Sequence, residues 1–258
     1  MTGRARIALV TGASSGIGAA TAIELGRRGW AVAVGARRPE RIEQVAKQVE
    51  AVGGRAFAHP LDVTLPHSAD EFCAAVERAL GPPDLLVNNA GQNLSALVAD
   101  ASDAQLRADV EINLLGAMFM TRRVLPGMLA RRVGDVVFLG SDSATRPRTY
   151  QGAYAAAKAG LEAFARVLEM ETEGTGVRSM LVRVGPTGTE FGTRMPQERL
   201  GEILASWKYW GVLRHLHWMS ADAVARAIVS AVEVPVEEAY PPVIEVQPGG
   251  RRREREGE

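Results

Sequence analysis

Residues 7–10, IALV, lead directly into residues 11–18, TGASSGIG, the order expected of a strand, a tight turn and a helix. Glycine supplies the unusual backbone angles of such a turn, and the missing Cβ atoms let the chain approach a pyrophosphate closely. The first amides of the following helix lack partners and lie at its positive end, so they favour phosphate oxygens. The glycine spacing differs from the common Gly-x-Gly-x-x-Gly fingerprint, so this turn alone could still be an ordinary one.

The rest of the chain repeats this alternation of strand and helix. Apolar runs of strand length alternate with helical patterns, which predicts βαβ crossovers and a parallel sheet with helices on both faces. No linker, internal repeat or second core interrupts the pattern, so we predict one doubly wound α/β domain over residues 1–250. Residues 251–258, RRREREGE, predict a solvated, disordered tail. The predicted strands are residues 7–10, 31–35, 55–58, 85–87, 135–139, 178–184 and 243–246.

The composition excludes several classes of protein. Of the 258 residues, 47% are hydrophobic and 23% are charged, the balance of a soluble globular protein with a large core. The 30 basic and 30 acidic residues cancel, so no global field attracts nucleic acid or anionic lipid. No apolar stretch is long enough to span a bilayer, and the first residues do not have the pattern of a secretory signal. We therefore expect a cytoplasmic protein that binds neither nucleic acid nor membranes.

Cys73 is the only cysteine, which excludes an intramolecular disulfide and a cysteine-rich metal site. It lies in a helix-like stretch without an evident activating neighbour, so we predict a buried, unreactive thiol. His215 and His217 are one residue apart, but no carboxylate or thiol cluster accompanies them. We predict no metal site.

Further motifs follow the glycine-rich turn in a fixed order. They are Asn88-Asn89-Ala90-Gly91, Asn113, Ser141 behind a strand-like run, and the pair Tyr154-x-x-x-Lys158 in a clear helical pattern. Together with the turn, they resemble a classical short-chain dehydrogenase/reductase over nearly the whole chain except its charged tail. The resemblance implies a Rossmann-like sheet of about seven parallel strands, a nicotinamide cofactor and a homo-oligomer, either a dimer or a tetramer.

The resemblance also implies a role for each member of a catalytic set. Tyr154 would be the general acid/base that exchanges a proton with a carbonyl or alcohol substrate, and Ser141 would hydrogen-bond the substrate oxygen. Lys158 would hold the nicotinamide ribose, and Asn113 would position a proton-relay water near Lys158. Taken singly, Ser141 and Asn113 would more often brace the backbone.

Tyr154 and Lys158 share one helix face, because residues four apart project into the same space. Tyrosine titrates near 10, which is too high for a base at neutral pH. A cation about 4 Å away contributes about 1 kcal/mol in a water-like dielectric and about 4 kcal/mol at an effective dielectric of 20. We therefore expect Lys158 to lower the pKa of Tyr154 substantially only where bulk water is excluded.

The end of the second predicted strand governs the choice of cofactor. An acidic residue there would accept hydrogen bonds from a ribose 2′-hydroxyl, whereas this chain has Arg37 and Arg38 after Ala36. A guanidinium suits a 2′-phosphate in charge and geometry, so we predict NADP(H) rather than NAD(H). Solvated arginines at a strand end are the alternative. With these two arginines, the predicted cofactor contacts are Gly12, Ser14, Ser15, Gly16, Ile17, Gly18, Asp62, Val63, Asn89, Ala90, Gly91, Tyr154, Lys158, Gly185, Thr187 and Thr189.

The substrate is less well defined by the sequence. By resemblance, a lid over the substrate spans about residues 189–219, and it holds Trp207, Trp210 and Trp218. These aromatic residues favour an apolar or ring-containing substrate, or else they anchor a core or a subunit interface. Arg146 and Arg148 fall where relatives line the pocket, which suggests an anionic group on the substrate. Val184 replaces a more usual proline before the loop of Gly185 to Thr189, which puts the geometry of that loop in question.

Two other functions fit the same fold. A nucleotide-binding regulator would perform no turnover, but all four predicted catalytic residues are present. An epimerase or dehydratase would act on a tightly held cofactor, but the glycine spacing is that of classical dehydrogenases and no larger carboxyl-terminal domain follows.

Overall fold

Seven parallel strands form one sheet in the computed structural model, which describes residues 5–191, 197–213, 217–235, 239 and 241–249. Each predicted strand is present, with ends that differ by two residues at most. The predicted tail at residues 251–258 lies outside the described residues. The strands are β1 Ile7–Thr11, β2 Ala31–Ala36, β3 Arg55–Pro60, β4 Leu85–Asn88, β5 Gly134–Ser141, β6 Val177–Val184 and β7 Val243–Val246.

Helices cover both faces of this sheet. They are α1 Gly16–Arg27, α2 Pro39–Ala51, α3 Pro66–Ala79, α4 Asp103–Val110, α5 Gly116–Arg131, α6 Gly152–Thr172, α7 Leu200–Tyr209 and α8 Ala221–Val232. One apolar core joins α1, α2 and α8 to the sheet, and a second joins α3, α5 and α6 to its other face. Alternate residues of β1 point to opposite cores, because side chains alternate across a strand. Burial on both faces explains the nearly continuous apolar runs in the central strands.

The strand order is β3-β2-β1-β4-β5-β6-β7, so the direction of the crossovers reverses between β1 and β4. Ligands of open α/β sheets bind beyond the carboxyl ends of the strands at such a switch point. The turn after β1, the turn after β4 and the end of β5 all lie at that edge. The fold therefore brings together the motifs that are far apart in the sequence.

A buried ion pair lies at the other end of the strands, at the amino ends of β5 and β6. Asp135 of β5 and Arg178 of β6 are register partners. Arg178 Nε and Nη2 donate to the two Asp135 carboxylate oxygens at 2.6 and 3.1 Å. Arg6 adds a third donor to Asp135 at 2.9 Å, and the Arg6 guanidinium lies 4.0 Å from the centroid of the Trp30 ring. These contacts fasten the amino ends of two central strands.

Two further sequence predictions concern the reactivity of Cys73 and the absence of a membrane-spanning helix. Burial raises the pKa of the Cys73 thiol in α3 to about 12, which disfavours the reactive thiolate and agrees with an inert cysteine. Of the helices in the described part of the chain, none is both long enough and apolar enough to cross a membrane.

Candidate active site

A cleft of about 720 Å³ opens at the carboxyl ends of the strands. It is lined by Ser141, Tyr154 and Lys158, and by every predicted cofactor residue except Gly18. Asn113 is also absent from the lining. The structure thus gathers the predicted site into one space, while the roles of the residues remain predictions.

The glycine-rich turn has the backbone that the sequence predicts. Gly12 and Gly16 have φ angles of 64° and 58°, in the left-handed region that side chains disfavour. A Cβ atom on Gly12 would also lie 2.7 Å from the Cα atom of Ala90 in the turn after β4. The two turns pack too closely for a side chain, which leaves bare backbone facing the cleft. This geometry fits the phosphates of a dinucleotide.

Gly18 serves packing and does not face the cleft. A Cβ atom there would lie 2.4 Å from the side-chain nitrogen of Asn89. That nitrogen donates to the carbonyl oxygens of Thr11 at 2.9 Å and Gly12 at 3.2 Å. The space beside Gly18 is thus taken by the asparagine that fastens the turn, and its predicted cofactor contact stays a prediction.

Asn113 lies in a π-helical turn, Glu111–Leu115, between α4 and α5. Its side-chain nitrogen donates to the carbonyls of Gln92 at 2.7 Å and Asp109 at 2.8 Å. Its side-chain oxygen accepts the Gln92 N–H at 3.3 Å. The Asn113 side chain is buried and braces the loop after β4. Because these partners occupy the side chain, the predicted water position near Lys158 would fall to another group of Asn113 or of its turn.

Tyr154 and Ser141 meet at the floor of the cleft. Ser141 is the last residue of β5, and its side chain lies close enough to the Tyr154 hydroxyl to lower the pKa of that group. Ser141 Oγ also accepts the Ser143 N–H at 3.1 Å, which fixes its position. The Tyr154 ring is only 7% exposed, and its centroid lies 5.6 Å from that of Phe191. The Tyr154 side chain is thus largely buried in the wall of the cleft.

Lys158 lies one helical turn further along α6. Its Nζ donates to the carbonyl of Leu139 at 2.7 Å and lies 5.8 Å from the centroid of the Tyr154 ring. Burial lowers the pKa of Lys158 to about 8, so most of it is still protonated at neutral pH. The ammonium therefore stands beside the tyrosine without a carboxylate partner among the described residues.

The acidity expected of Tyr154 is not found. Burial raises the pKa of Tyr154 to about 12, and this effect exceeds the lowering by the Ser141 side chain. The sequence argument counted the attraction of Lys158 but could not weigh the desolvation of a phenolate. In this geometry Tyr154 keeps its proton at neutral pH and is placed to donate it.

The two predicted arginines differ in their contacts. Arg37 is exposed at the rim of the cleft. Arg38 Nη2 donates to the hydroxyls of Ser14 at 2.7 Å and Ser15 at 3.1 Å, so it reaches across to the glycine-rich turn. Its Nη1 donates to Glu190 at 3.2 Å. Arg38 is the arginine that the fold orients beside the predicted phosphate site.

Arg148 is already neutralised by a carboxylate. Its guanidinium donates to both oxygens of Asp142 at 2.8 and 2.7 Å and to Ser143 Oγ at 2.7 Å. Both charged side chains are less than 9% exposed. This pairing weighs against the anion site suggested for Arg148, which stays a hypothesis, and Arg146 lies 3.9 Å from the carboxylate of Glu245.

The lid region contributes apolar surface to the cleft. Trp207 and Trp218 line it, whereas Trp210 does not and is 65% exposed. Trp207 Nε1 donates to the carbonyl of Thr149 at 3.0 Å, which fixes the ring over the cleft. The predicted pair of His215 and His217 is only partly described, because His215 lies outside the described residues.

Gln247 and Asp142 are among the cleft-lining residues that the sequence did not single out. Gln247 directly follows β7, and its side chain covers Gly185, where a Cβ atom would lie 2.3 Å from Gln247 Oε1. The rule that ligands meet strand ends could have found it. Asp142 follows Ser141, but its pairing with Arg148 across a loop has no signal in the sequence. The loop that follows Val184 begins with a hydrogen bond to β7, in which the Gly185 N–H donates to the Val246 carbonyl at 2.9 Å.

Comparisons with known proteins identify the family of this chain. Residues 6–200 match the family model for short chain dehydrogenases. The chain is 37% identical over 186 residues to 2,3-dihydro-2,3-dihydroxybenzoate dehydrogenase of Bacillus subtilis (strain 168), an alignment covering 72% of this chain and 71% of the relative.

Two solved structures share the fold. A variant of actinorhodin polyketide ketoreductase with NADPH has a TM-score of 0.85 at 27% identity, covering 94% of this chain and 95% of that one. An alcohol dehydrogenase from Thermococcus sibiricus complexed with 5-hydroxy-NADP has a TM-score of 0.82 at 27% identity, covering 97% and 100%. The chain belongs to the classical short-chain dehydrogenase/reductase family, whose members are NAD(P)-dependent oxidoreductases of alcohol and carbonyl groups.

Proposed function

We propose that this chain interconverts a carbonyl and an alcohol with NADP(H), and that Tyr154 exchanges the proton. The observation that carries the proposal is that Tyr154, Ser141 and Lys158 line one end of a cleft whose other end is the glycine-rich turn. A nicotinamide cofactor, when bound, supplies or accepts the hydride.

The protonation states favour donation by Tyr154. The phenol retains its proton at neutral pH, and the alkoxide formed on a reduced carbonyl needs one. Ser141 would hold the substrate oxygen beside the phenol. Lys158 is mostly protonated at pH 7 and stabilises the phenolate left after the transfer. Because the side chain of Asn113 is occupied, a relay water near Lys158 would have to use a backbone carbonyl of the π-helical turn.

The preference for NADP(H) rests on the cations around the turn after β2. Arg38 lies against Ser14 and Ser15, and Arg37 lines the same end of the cleft. Hydroxyl and guanidinium donors together suit a phosphate, which an acidic residue at the end of β2 would repel. The two solved relatives, which contain NADPH and 5-hydroxy-NADP, support the same choice.

The lining of the substrate end favours an apolar, uncharged substrate. Phe191, Leu204, Trp207 and Trp218 contribute apolar surface there. The buried guanidinium of Arg148 is balanced by Asp142, so it offers little net charge to an acid. We further propose a homo-oligomer, a dimer or tetramer, in the cytoplasm, and one catalytic domain with a lid over about residues 189–219. Size-exclusion chromatography with light scattering measures the assembly.

A substrate screen followed at the nicotinamide absorbance tests the activity. We expect turnover of apolar ketones with NADPH, a lower KM for NADPH than for NADH, and a loss of about 10²- to 10⁴-fold in kcat for Tyr154→Phe. Tyr209→Phe makes the same chemical change at an 82% exposed site outside the cleft lining and is the matched control.

Each proposed element has its own contrary result. Unchanged kcat in Tyr154→Phe would remove the proton donor, and a lower KM for NADH would remove the cofactor preference. Nucleotide binding without turnover on any carbonyl or alcohol would favour a regulator.

A further inference from the structure

Glu190 occupies a position where a cofactor phosphate would be expected. It directly follows Thr189 on the wall of the cleft, and its carboxylate accepts Arg41 Nη1 at 2.5 Å and Arg38 Nη1 at 3.2 Å. Hydrogen bonds from Arg41 and Arg38 lower the pKa of Glu190, so the carboxylate is charged at neutral pH. The Glu190 carboxylate thus already binds Arg38 and Arg41, two of the arginines that follow β2.

Arg38 is shared between this carboxylate and the glycine-rich turn. The same guanidinium donates to Ser14 and Ser15, the hydroxyls that stand beside the proposed 2′-phosphate. A carboxylate and a phosphate are alternative acceptors for the same planar set of guanidinium donors. Arg38 Nη1, which donates to Glu190, cannot point at the carboxylate and at a 2′-phosphate with the same geometry.

The position of Glu190 is set by its neighbours in the chain. A Cβ atom on Gly16 would lie 3.2 Å from the Thr189 side chain, so Thr189 lies against the turn. On the other side, Phe191 contacts the ring of Tyr154, and its N–H donates to Thr189 Oγ1 at 3.3 Å. Thr189 therefore contacts the glycine-rich turn, Glu190 the two arginines and Phe191 the ring of Tyr154.

We propose that Glu190 determines cofactor specificity by competing with the 2′-phosphate of NADP(H) for Arg38 and Arg41. The inference rests on the proposed use of NADP(H). The dianionic 2′-phosphate displaces the carboxylate, whereas the neutral 2′-hydroxyl of NAD(H) leaves the ion pairs with Glu190 intact. Glu190 therefore weakens the binding of NADP(H) and has little effect on the binding of NAD(H).

Two different roles for Glu190 predict different results. If the carboxylate orients Arg38 for the phosphate, removing the carboxylate should weaken the binding of NADPH. If the carboxylate accepts a hydrogen bond from the 2′-hydroxyl of NADH, removing it should weaken the binding of NADH.

Calorimetric titration of the full-length protein with NADPH, NADH and adenosine 2′,5′-bisphosphate tests the competition. In Glu190→Gln we expect NADPH and the bisphosphate to bind about 3- to 10-fold tighter, the range of two exposed ion pairs, and NADH to stay within about twofold. The gain should shrink as salt is raised. Glu40→Gln removes an equal charge from the first turn of α2, where the described residues give it no ion pair with either arginine. It should change all three dissociation constants by less than about twofold.

The outcomes separate this inference from the proposed cofactor preference. Wild-type protein that binds NADH more tightly than NADPH contradicts the preference. Unchanged or weaker bisphosphate binding by Glu190→Gln contradicts the competition, whichever cofactor the wild type prefers. Equal gains in Glu190→Gln and Glu40→Gln also overturn it, because they would reflect only the overall charge.

Discussion

Strands β5 and β6 run side by side, and their two ends hold opposite kinds of buried polar group. At the amino ends, Asp135 and Arg178 bind each other, and Arg178 also donates to the carbonyls of Val232 at 3.1 Å and Val234 at 2.6 Å. At the carboxyl end of β5, Ser141 lies beside Tyr154, with Lys158 one helical turn further along α6. The amino end is a closed network, whereas the carboxyl end leaves titratable groups with few partners.

The difference separates stability from chemistry. A buried charge is tolerated when hydrogen bonds and an opposite charge meet it, as they do around Arg178. Lys158 is equally buried but receives one carbonyl, so its charged form is disfavoured and its pKa falls to about 8. Groups that must exchange protons or bind a ligand cannot be fully satisfied beforehand. We therefore expect changes at the amino end to lower stability and changes at the carboxyl end to raise it while lowering activity.

The largest expected effect on stability is at the amino end. Arg178→Met leaves Asp135 buried with only Arg6 as a cationic partner, which should cost about 3–5 kcal/mol in the free energy of unfolding. Urea unfolding at a fixed protein concentration measures the cost.

A double variant shows whether the loss comes from the stranded carboxylate. Asp135→Leu combined with Arg178→Met should recover most of the loss, because apolar residues can replace a buried pair with little change. A single variant as stable as the wild type would mean that the amino end is no more than an exposed ion pair.

The sequence predicts one end of these strands better than the other. The catalytic end is recognised because its residue types follow strands and share one helix face, relations that spacing alone fixes. Asp135 and Arg178 lie 43 positions apart and become partners only through the register of two strands. No local pattern carries that register.

Burial is the other quantity that the sequence withholds. The spacing of Tyr154 and Lys158 gives their proximity, but the depth of the cleft decides whether desolvation or attraction governs the tyrosine. The pairing of Arg148 with Asp142 and the occupied amide of Asn113 are likewise products of tertiary packing. In each case the residue was recognised, while its protonation or hydrogen bonding was not.

The next largest effect concerns Lys158, whose loss should stabilise the fold. Its pKa falls from 10.5 to about 8, which corresponds to about 3 kcal/mol against the charged form. Lys158→Met removes that cost but leaves the Leu139 carbonyl unpaired, for a net gain of about 2 kcal/mol at pH 7. Turnover should fall sharply at the same time.

The pH dependence checks the origin of that gain. Between pH 8 and 10.5 Lys158 holds its proton in the unfolded chain and has released it in the folded one, so the contribution of this group to stability rises with pH there. The advantage of Lys158→Met should therefore shrink across this range. Lys47→Met, at an exposed site on α2, should change stability by less than about 0.5 kcal/mol. If Lys158→Met instead lowers the free energy of unfolding, the carboxyl ends of the strands contribute to stability just as the amino ends do.

The smallest expected effect tests whether Lys158 is an isolated case. Asp109, in the last turn of α4, is 3% exposed, and its carboxylate accepts the Leu94 N–H at 3.2 and 3.3 Å. Burial raises the pKa of Asp109 from 3.8 to about 6, against the lowering by that hydrogen bond. Between these values the unfolded chain has released the proton and the folded chain still holds it. Stability from this group therefore falls as pH rises from about 4 to 6 and stays low above that range.

Asp109→Asn should remove this loss while its side-chain oxygen still accepts the Leu94 N–H. We expect the variant to be about 1 kcal/mol more stable than the wild type at pH 7, less than the shift alone implies because an amide is the weaker acceptor. Below pH 4 the two proteins should converge, and Glu111→Gln, at an exposed site two residues further along, should show no such dependence. Urea unfolding from pH 4 to 7 measures it, and a pH-independent difference would show that the carboxylate is already satisfied.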